Sequence, residues 1–127
     1  DSNGDWITER LQRLGVEGVE RTLVGDEQIR TAAAIEAAVA SAGVVVLTGG
    51  LGPTEDDRTR EALAQALDLP LERDHERIDR LRSFFEGRGK AFQPEQEKQA
   101  DRPDLSGCDS GNITAHTGTD QYDRPFN

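Results

Sequence analysis

Residues Val44–Ala62 read VVVLTGGLGPTEDDRTREA, and the fold turns on how this stretch is read. An apolar run, Val44–Leu47, stops at Gly49, Gly50, Gly52 and Pro53. The chain then resumes as a charged, helix-forming segment opened by Glu55, Asp56 and Asp57. A short run that is apolar on both faces is the pattern of a central parallel strand. The glycines predict a tight turn whose backbone a ligand can approach without side-chain obstruction. From residue 55 to about 67 the spacing predicts a helix that buries Ala62, Leu63, Ala66 and Leu67.

Working outward, Gln28–Ser41 is alanine-rich and helical. Its Ile29, Ala33, Ala37 and Ala40 share a face suited to close packing against a sheet. Val19–Val24 reads as a short strand ending at Gly25 and Asp26. Residues 1–15 predict a helix with Trp6, Ile7, Leu11 and Leu14 on one face, Trp6 as a core anchor and Gly15 as the stop. The order helix, strand, helix, strand, helix predicts an α/β fold, with a mostly parallel sheet and helices on both faces. Such folds ordinarily begin with a strand, so the first strand is expected to be missing. Downstream, 74–87 predicts a helix with Ile78, Leu81, Phe84 and Phe85 toward the core. Pro94–Ala100 predicts a short helix with Pro94 in its first turn. Beyond Pro103 the periodicity lapses, and 104–127 reads as a divergent or disordered tail.

The 127 residues suffice for one domain with one core. Fifteen Lys and Arg against 25 Asp and Glu give a net charge of -10, which weighs against nucleic acid or an anionic membrane as the main partner. A small anion held by backbone amides remains compatible with that charge. No apolar run approaches the roughly 20 residues of a membrane span, and no secretory signal opens the sequence. A lone Cys108 permits neither an internal disulfide nor a cysteine zinc site. Cytoplasmic residence is the resulting expectation.

In a parallel sheet, ligands bind beyond the carboxyl ends of the strands, and Thr48–Thr54 would sit at such an end. The amides of Gly49, Gly50 and Gly52 would form a nest for phosphate oxygens, helped by the helix N-terminus that follows. Thr54 reads as the helix cap, with Asp57 completing a capping box. Acids in a first turn favour the helix dipole by roughly 0.3–1 kcal/mol each, yet they repel a docked phosphate. A divalent cation, Mg2+ or similar, bridging carboxylate and phosphate removes the conflict, held by Asp57 with either Asp56 or Asp26. Asp26 supplies a further carboxylate if its strand neighbours that of Leu47. Thr48 and Thr54 offer hydroxyls to phosphate or metal. The same glycines and acids also suit an ordinary strand-to-helix connection. They match neither a triphosphate loop nor a dinucleotide fingerprint.

Thr48-Gly49-Gly50-Leu51-Gly52-Pro53-Thr54, followed by Asp56, Asp57 and Thr59, closely resembles the signature of the CinA family (competence/damage-inducible protein A). It is also similar to the wider molybdopterin-binding domain family of molybdenum-cofactor biosynthesis. Asp1, Ser2 and Asn3 with Trp6 and Leu11 resemble the family's opening helix. Val24-Gly25-Asp26 resembles its next strand end, and Lys98-Gln99-Ala100 with Pro103 a later segment. The resemblance covers about residues 1–103 and is incomplete at both ends. Leu51 and the Pro53–Asp57 wording favour the CinA branch over the pterin adenylyltransferases.

The resemblance implies a three-layer α/β/α domain with a cleft for a phosphorylated nucleotide or pterin and a divalent cation. For the CinA branch it implies ADP-ribose pyrophosphatase activity. It implies ligand handling by Asp57 and Asp26; we take these as the catalytic carboxylates, choose Asp26 to orient the water, and take Lys98 as a candidate contact to phosphate. Two other functions stay open: a molybdopterin-binding or adenylyl-transfer protein, and a non-catalytic fragment or homo-oligomerisation module.

Overall fold

The structure, a computed structural model, describes residues 2–106. The readings of Cys108 and of the tail from 107 onward lie outside the described residues. In chain order the elements are α1 (Ser2–Arg13), α2 (Gln28–Ser41), α3 (Thr59–Leu67), β1 (Leu71–Arg73), α4 (His75–Gly87), a 3-10 helix (Pro94–Ala100) and β2 (Asp101–Pro103).

The helices form where local chemistry dictates. In α1, Asp5 lies in the first turn and Arg10 and Arg13 in the last, in keeping with the helix dipole. Gly15 ends it as expected: Val16 N–H donates to Leu11 O and Gly15 N–H to Gln12 O, a Schellman closure. In α4 the carboxylate of Asp74 caps the first turn by accepting from Glu76 N–H and Arg77 N–H. Pro94 opens the 3-10 helix, as its missing N–H allows.

The sheet corrects the expected fold. Among the described residues it has two strands, β1 and β2, paired antiparallel with Leu71 opposite Pro103 and Arg73 opposite Asp101. It is a small ribbon flanked by helices, not the mostly parallel sheet of a three-layer α/β/α domain. The apolar runs Val19–Val24 and Val44–Leu47 carry no strand. Apolar pattern alone does not make a strand; a hydrogen-bonded neighbour does. Residues Val45 and Leu47 are half-buried while Val44 is 79% exposed, so one face of this extended run is covered and the other bare. Leu23 is 90% exposed.

Packing follows from that difference. Helices α2 and α3 meet through Ala32, Ile35 and Ala62, with Leu47, Leu63 and Ala66 around them. The face of α2 expected to pack, Ile29, Ala33, Ala37 and Ala40, points outward, because no sheet lies there to receive it. Trp6, expected in the core, is 64% exposed. A second cluster joins Ile78, Leu81 and Ala100, with Phe92 against it, and so ties α4 to the 3-10 helix.

The Asp74 cap is the most exposed test of this assembly, since its carboxylate also pairs with Arg77 and Arg102. Asp74→Ala is expected to lower unfolding free energy by about 1–2 kcal/mol, measured by urea denaturation. An unchanged midpoint would show that the cap contributes nothing.

Candidate functional site

The glycine turn lies ahead of α3 and is held by it. Thr59, the first residue of α3, donates its hydroxyl to Gly49 O at 2.6 Å and its N–H to Gly50 O at 3.2 Å. Arg60, the second residue, donates Nη1 to Leu51 O and Nη2 to Gly52 O. Lys98, from the 3-10 helix, reaches Thr54 O and Asp57 O, each at 2.6 Å, and lies 3.4 Å from Glu61. Six carbonyls of one loop are thus gripped by three residues of the supporting elements.

The carbonyl and N–H of a trans peptide point to opposite sides. Gripping the carbonyls of Gly49 and Gly50 therefore turns the N–H groups of Gly50 and Leu51 away from Thr59. Neither N–H has an acceptor among the described residues. Gly50 must be glycine: its φ is +66°, and an added Cβ would overlap the Thr59 hydroxyl. At Gly52 an added Cβ would stand 2.6 Å from Asp57 Oδ2.

Asp57 closes a separate turn instead of capping α3. Its Oδ2 accepts from Thr54 N–H at 2.9 Å and from the Thr54 hydroxyl at 2.7 Å, while Asp57 N–H donates to Thr54 O. The helix consequently starts at Thr59, four positions later than residue 55, and Glu55, Asp56 and Asp57 precede it. The Thr54 hydroxyl, chiefly, holds the Asp57 carboxyl below the usual carboxylate range. The N–H groups of Thr54 and Gly52 and the charge of Lys98 add to this, against partial burial. Asp57 is therefore ionised at neutral pH.

Of the residues expected to form the site, the structure gathers Gly49, Gly50, Gly52, Thr54, Asp57 and Lys98. Thr48 is exposed just before them, and Asp56 is exposed on the turn. Asp26 is exposed just before α2, and among the described residues no hydrogen bond or ion pair joins it to the loop. Nor do these residues contain a group of three or more His, Cys, Asp or Glu side chains placed to hold a metal. Lys98 spends its donors on loop carbonyls. The sequence reading missed Arg60, which is 2% exposed. Its place in a run of charges, Asp57-Arg58-Thr59-Arg60-Glu61, gives no sign of burial.

A divalent cation fits this donor set in one way. Both Thr54 donors end on Asp57 Oδ2, which leaves Oδ1 lone pairs to offer. Mg2+ characteristically takes one or two carboxylates and completes its shell with waters and substrate phosphates. Asp57, with Asp56 beside it, suits that mode; an all-protein cage does not exist among the described residues.

Two outcomes test this geometry. Gly50→Ala is expected to destabilise by about 1–2 kcal/mol from the left-handed backbone alone. Gly25→Ala, where a Cβ meets nothing within 4 Å, should be near neutral in the same denaturation series. Asp57 should also confer an acid limb in metal-free buffer. Because its folded pKa is depressed, its contribution is complete above the ordinary value of about 3.9 and is lost as pH falls through the folded value. The Thr54 amide resonance should follow that loss, and Asp57→Asn should abolish it.

This loop can be set beside known proteins. The family described as "Probable molybdopterin binding domain" matches residues 1–119. A CinA-like protein of Anaeromyxobacter dehalogenans is 45% identical over 100 residues, covering 79% of this chain and 24% of that protein. One from Parasynechococcus marenigrum is 42% identical over 103 residues, covering 81% and 25%. The chain thus spans about a quarter of the length of the curated relatives it matches. Among solved structures, the CinA protein of Thermoplasma acidophilum, described as of unknown function, superposes with a TM-score of 0.73. It is 26% identical, over 81% of this chain and 60% of that one. The chain belongs to the molybdopterin-binding domain family and, within it, is a CinA-family domain.

Proposed function

We propose that this domain carries the nucleotide site of a metal-dependent pyrophosphatase that hydrolyses ADP-ribose to AMP and ribose 5-phosphate. The observation that supports it is the loop itself, whose carbonyls are tied down, whose Gly50 and Leu51 amides turn away from Thr59, and whose Thr54 holds an ionised Asp57. Outward amides complement diphosphate oxygens. Arg60 and Lys98 set two positive charges against the loop carbonyls, offsetting the Asp57 carboxylate. The Thr54 hydroxyl fixes the rotamer of Asp57 and keeps Oδ1 available. In the reaction, water oxygen bonds to one phosphorus of the diphosphate, the bridging P–O bond breaks, and the released phosphate keeps the bridging oxygen. Mg2+, when bound at Asp57 and Asp56, would neutralise charge on the phosphoryl oxygens. The water-orienting part is assigned to Asp26 as the further carboxylate of the sequence reading.

A second reading has its own support, because the matched family is described by molybdopterin binding. It places the terminal phosphate of a pterin on the same amides and requires no hydrolysis.

The two are separated by assaying AMP release from ADP-ribose with Mg2+. Asp57→Asn should lower turnover at least about 100-fold, the scale of losing one transition-state charge contact, with little change in thermal midpoint. Asp26→Asn tests the water-orienting assignment in the same assay. Molybdopterin binding without any AMP release would favour the second reading. Undiminished turnover in Asp57→Asn would refute the site.

A further inference from the structure

Arg60 is placed where a stability argument would not put it. It is 2% exposed, its Nε has no acceptor among the described residues, and it occupies the second position of α3, where the helix dipole disfavours a cation. Burial pulls its guanidinium below the ordinary value, against the opposing charges of Glu61, Asp101 and Asp57. A buried charge in such a place is weak support for a fold. Its gain lies elsewhere, in the two successive carbonyls, Leu51 O and Gly52 O, that its planar fork takes together.

We infer that Arg60 is the positioning residue of the glycine loop: by holding the Leu51 and Gly52 carbonyls, it fixes the backbone that follows the Gly50 and Leu51 amides, whose direction Thr59 sets, and so keeps the loop in the one shape that a diphosphate would meet. This rests on the loop being the ligand cradle. The consequence is specific to geometry. Gly49, Gly50 and Gly52 make the loop pliable, and a pliable loop binds an anion poorly unless something orders its dipoles beforehand. Thr59 orders the first half through Gly49 O and Gly50 O; Lys98 orders the far end through Thr54 O and Asp57 O. Arg60 joins the two halves, and its fork spans both carbonyls of the middle. Lysine at this position would keep the positive charge, but its point charge cannot reproduce the fork.

The test is Arg60→Lys in the full chain, read by backbone 15N relaxation and by calorimetric titration with ADP-ribose and Mg2+. Order parameters at Gly49–Gly52 should fall from rigid values to below about 0.6 while those in α2 and the rest of α3 hold. The ADP-ribose affinity should weaken at least about tenfold. Rigid loop order parameters in Arg60→Lys would overturn the inference, as would a mobilised loop with wild-type affinity. If the wild-type chain takes up no ADP-ribose, the functional reading fails. The order parameters need no ligand and still decide whether Arg60 holds the loop. Should Arg60→Lys lose order throughout α2 and α3, Arg60 is a packing residue and the inference is wrong.

Discussion

The site depends on one constraint: a glycine-rich loop must keep a single shape although its own residues give it little stiffness. The donors of Thr59, Arg60 and Lys98 impose that shape by claiming six loop carbonyls. An isolated surface loop of this composition would exchange conformers and solvate its amides. Here those acceptors are engaged, and the Gly50 and Leu51 amides turn away from Thr59, which holds the carbonyls of the same peptides.

Packing makes this possible by bringing the three supports into one place. The small side chains Ala32 and Ala62 let α2 and α3 approach closely, and Leu47 anchors the segment leading into the loop against the same cluster. The α3 helix also packs on β1 and β2, and the 3-10 helix that carries Lys98 runs directly into β2. The antiparallel ribbon thus acts as a brace for the site more than as a core sheet. Ion pairs of Arg73 with Asp101 and Glu97 tie the ribbon to the 3-10 helix, although their exposure makes each worth little by itself. No described helix is long and apolar enough to cross a membrane.

What was legible in the sequence was local. Gly15 and Pro94 each mark a helix boundary by a mechanism that acts within a few residues, and the structure uses both. The glycine turn was equally legible, because a run of special residues is visible without tertiary information, whereas Asp57, expected to complete a helix cap, closes a separate turn with Thr54. The strands were not. Val19–Val24 and Val44–Leu47 have the right composition, but a strand is a relation between two segments, and the structure pairs neither of them. The packing face of α2 was misread because its alanines occur on several sides, so spacing does not choose between Ala33 and Ala32. Arg60 was hidden because a charged residue in a charged run reads as solvated until the fold encloses it.

The most direct measurement is a 1H–15N spectrum of the chain titrated with ADP-ribose and Mg2+. The account predicts that the largest and saturable shifts fall on the amides of Gly50 and Leu51, with smaller ones at Gly52 and Thr54. Saturable shifts centred elsewhere, such as on the Phe84, Phe85 and Phe92 cluster at the far end of α4, would contradict it, and so would a loop whose amides do not respond.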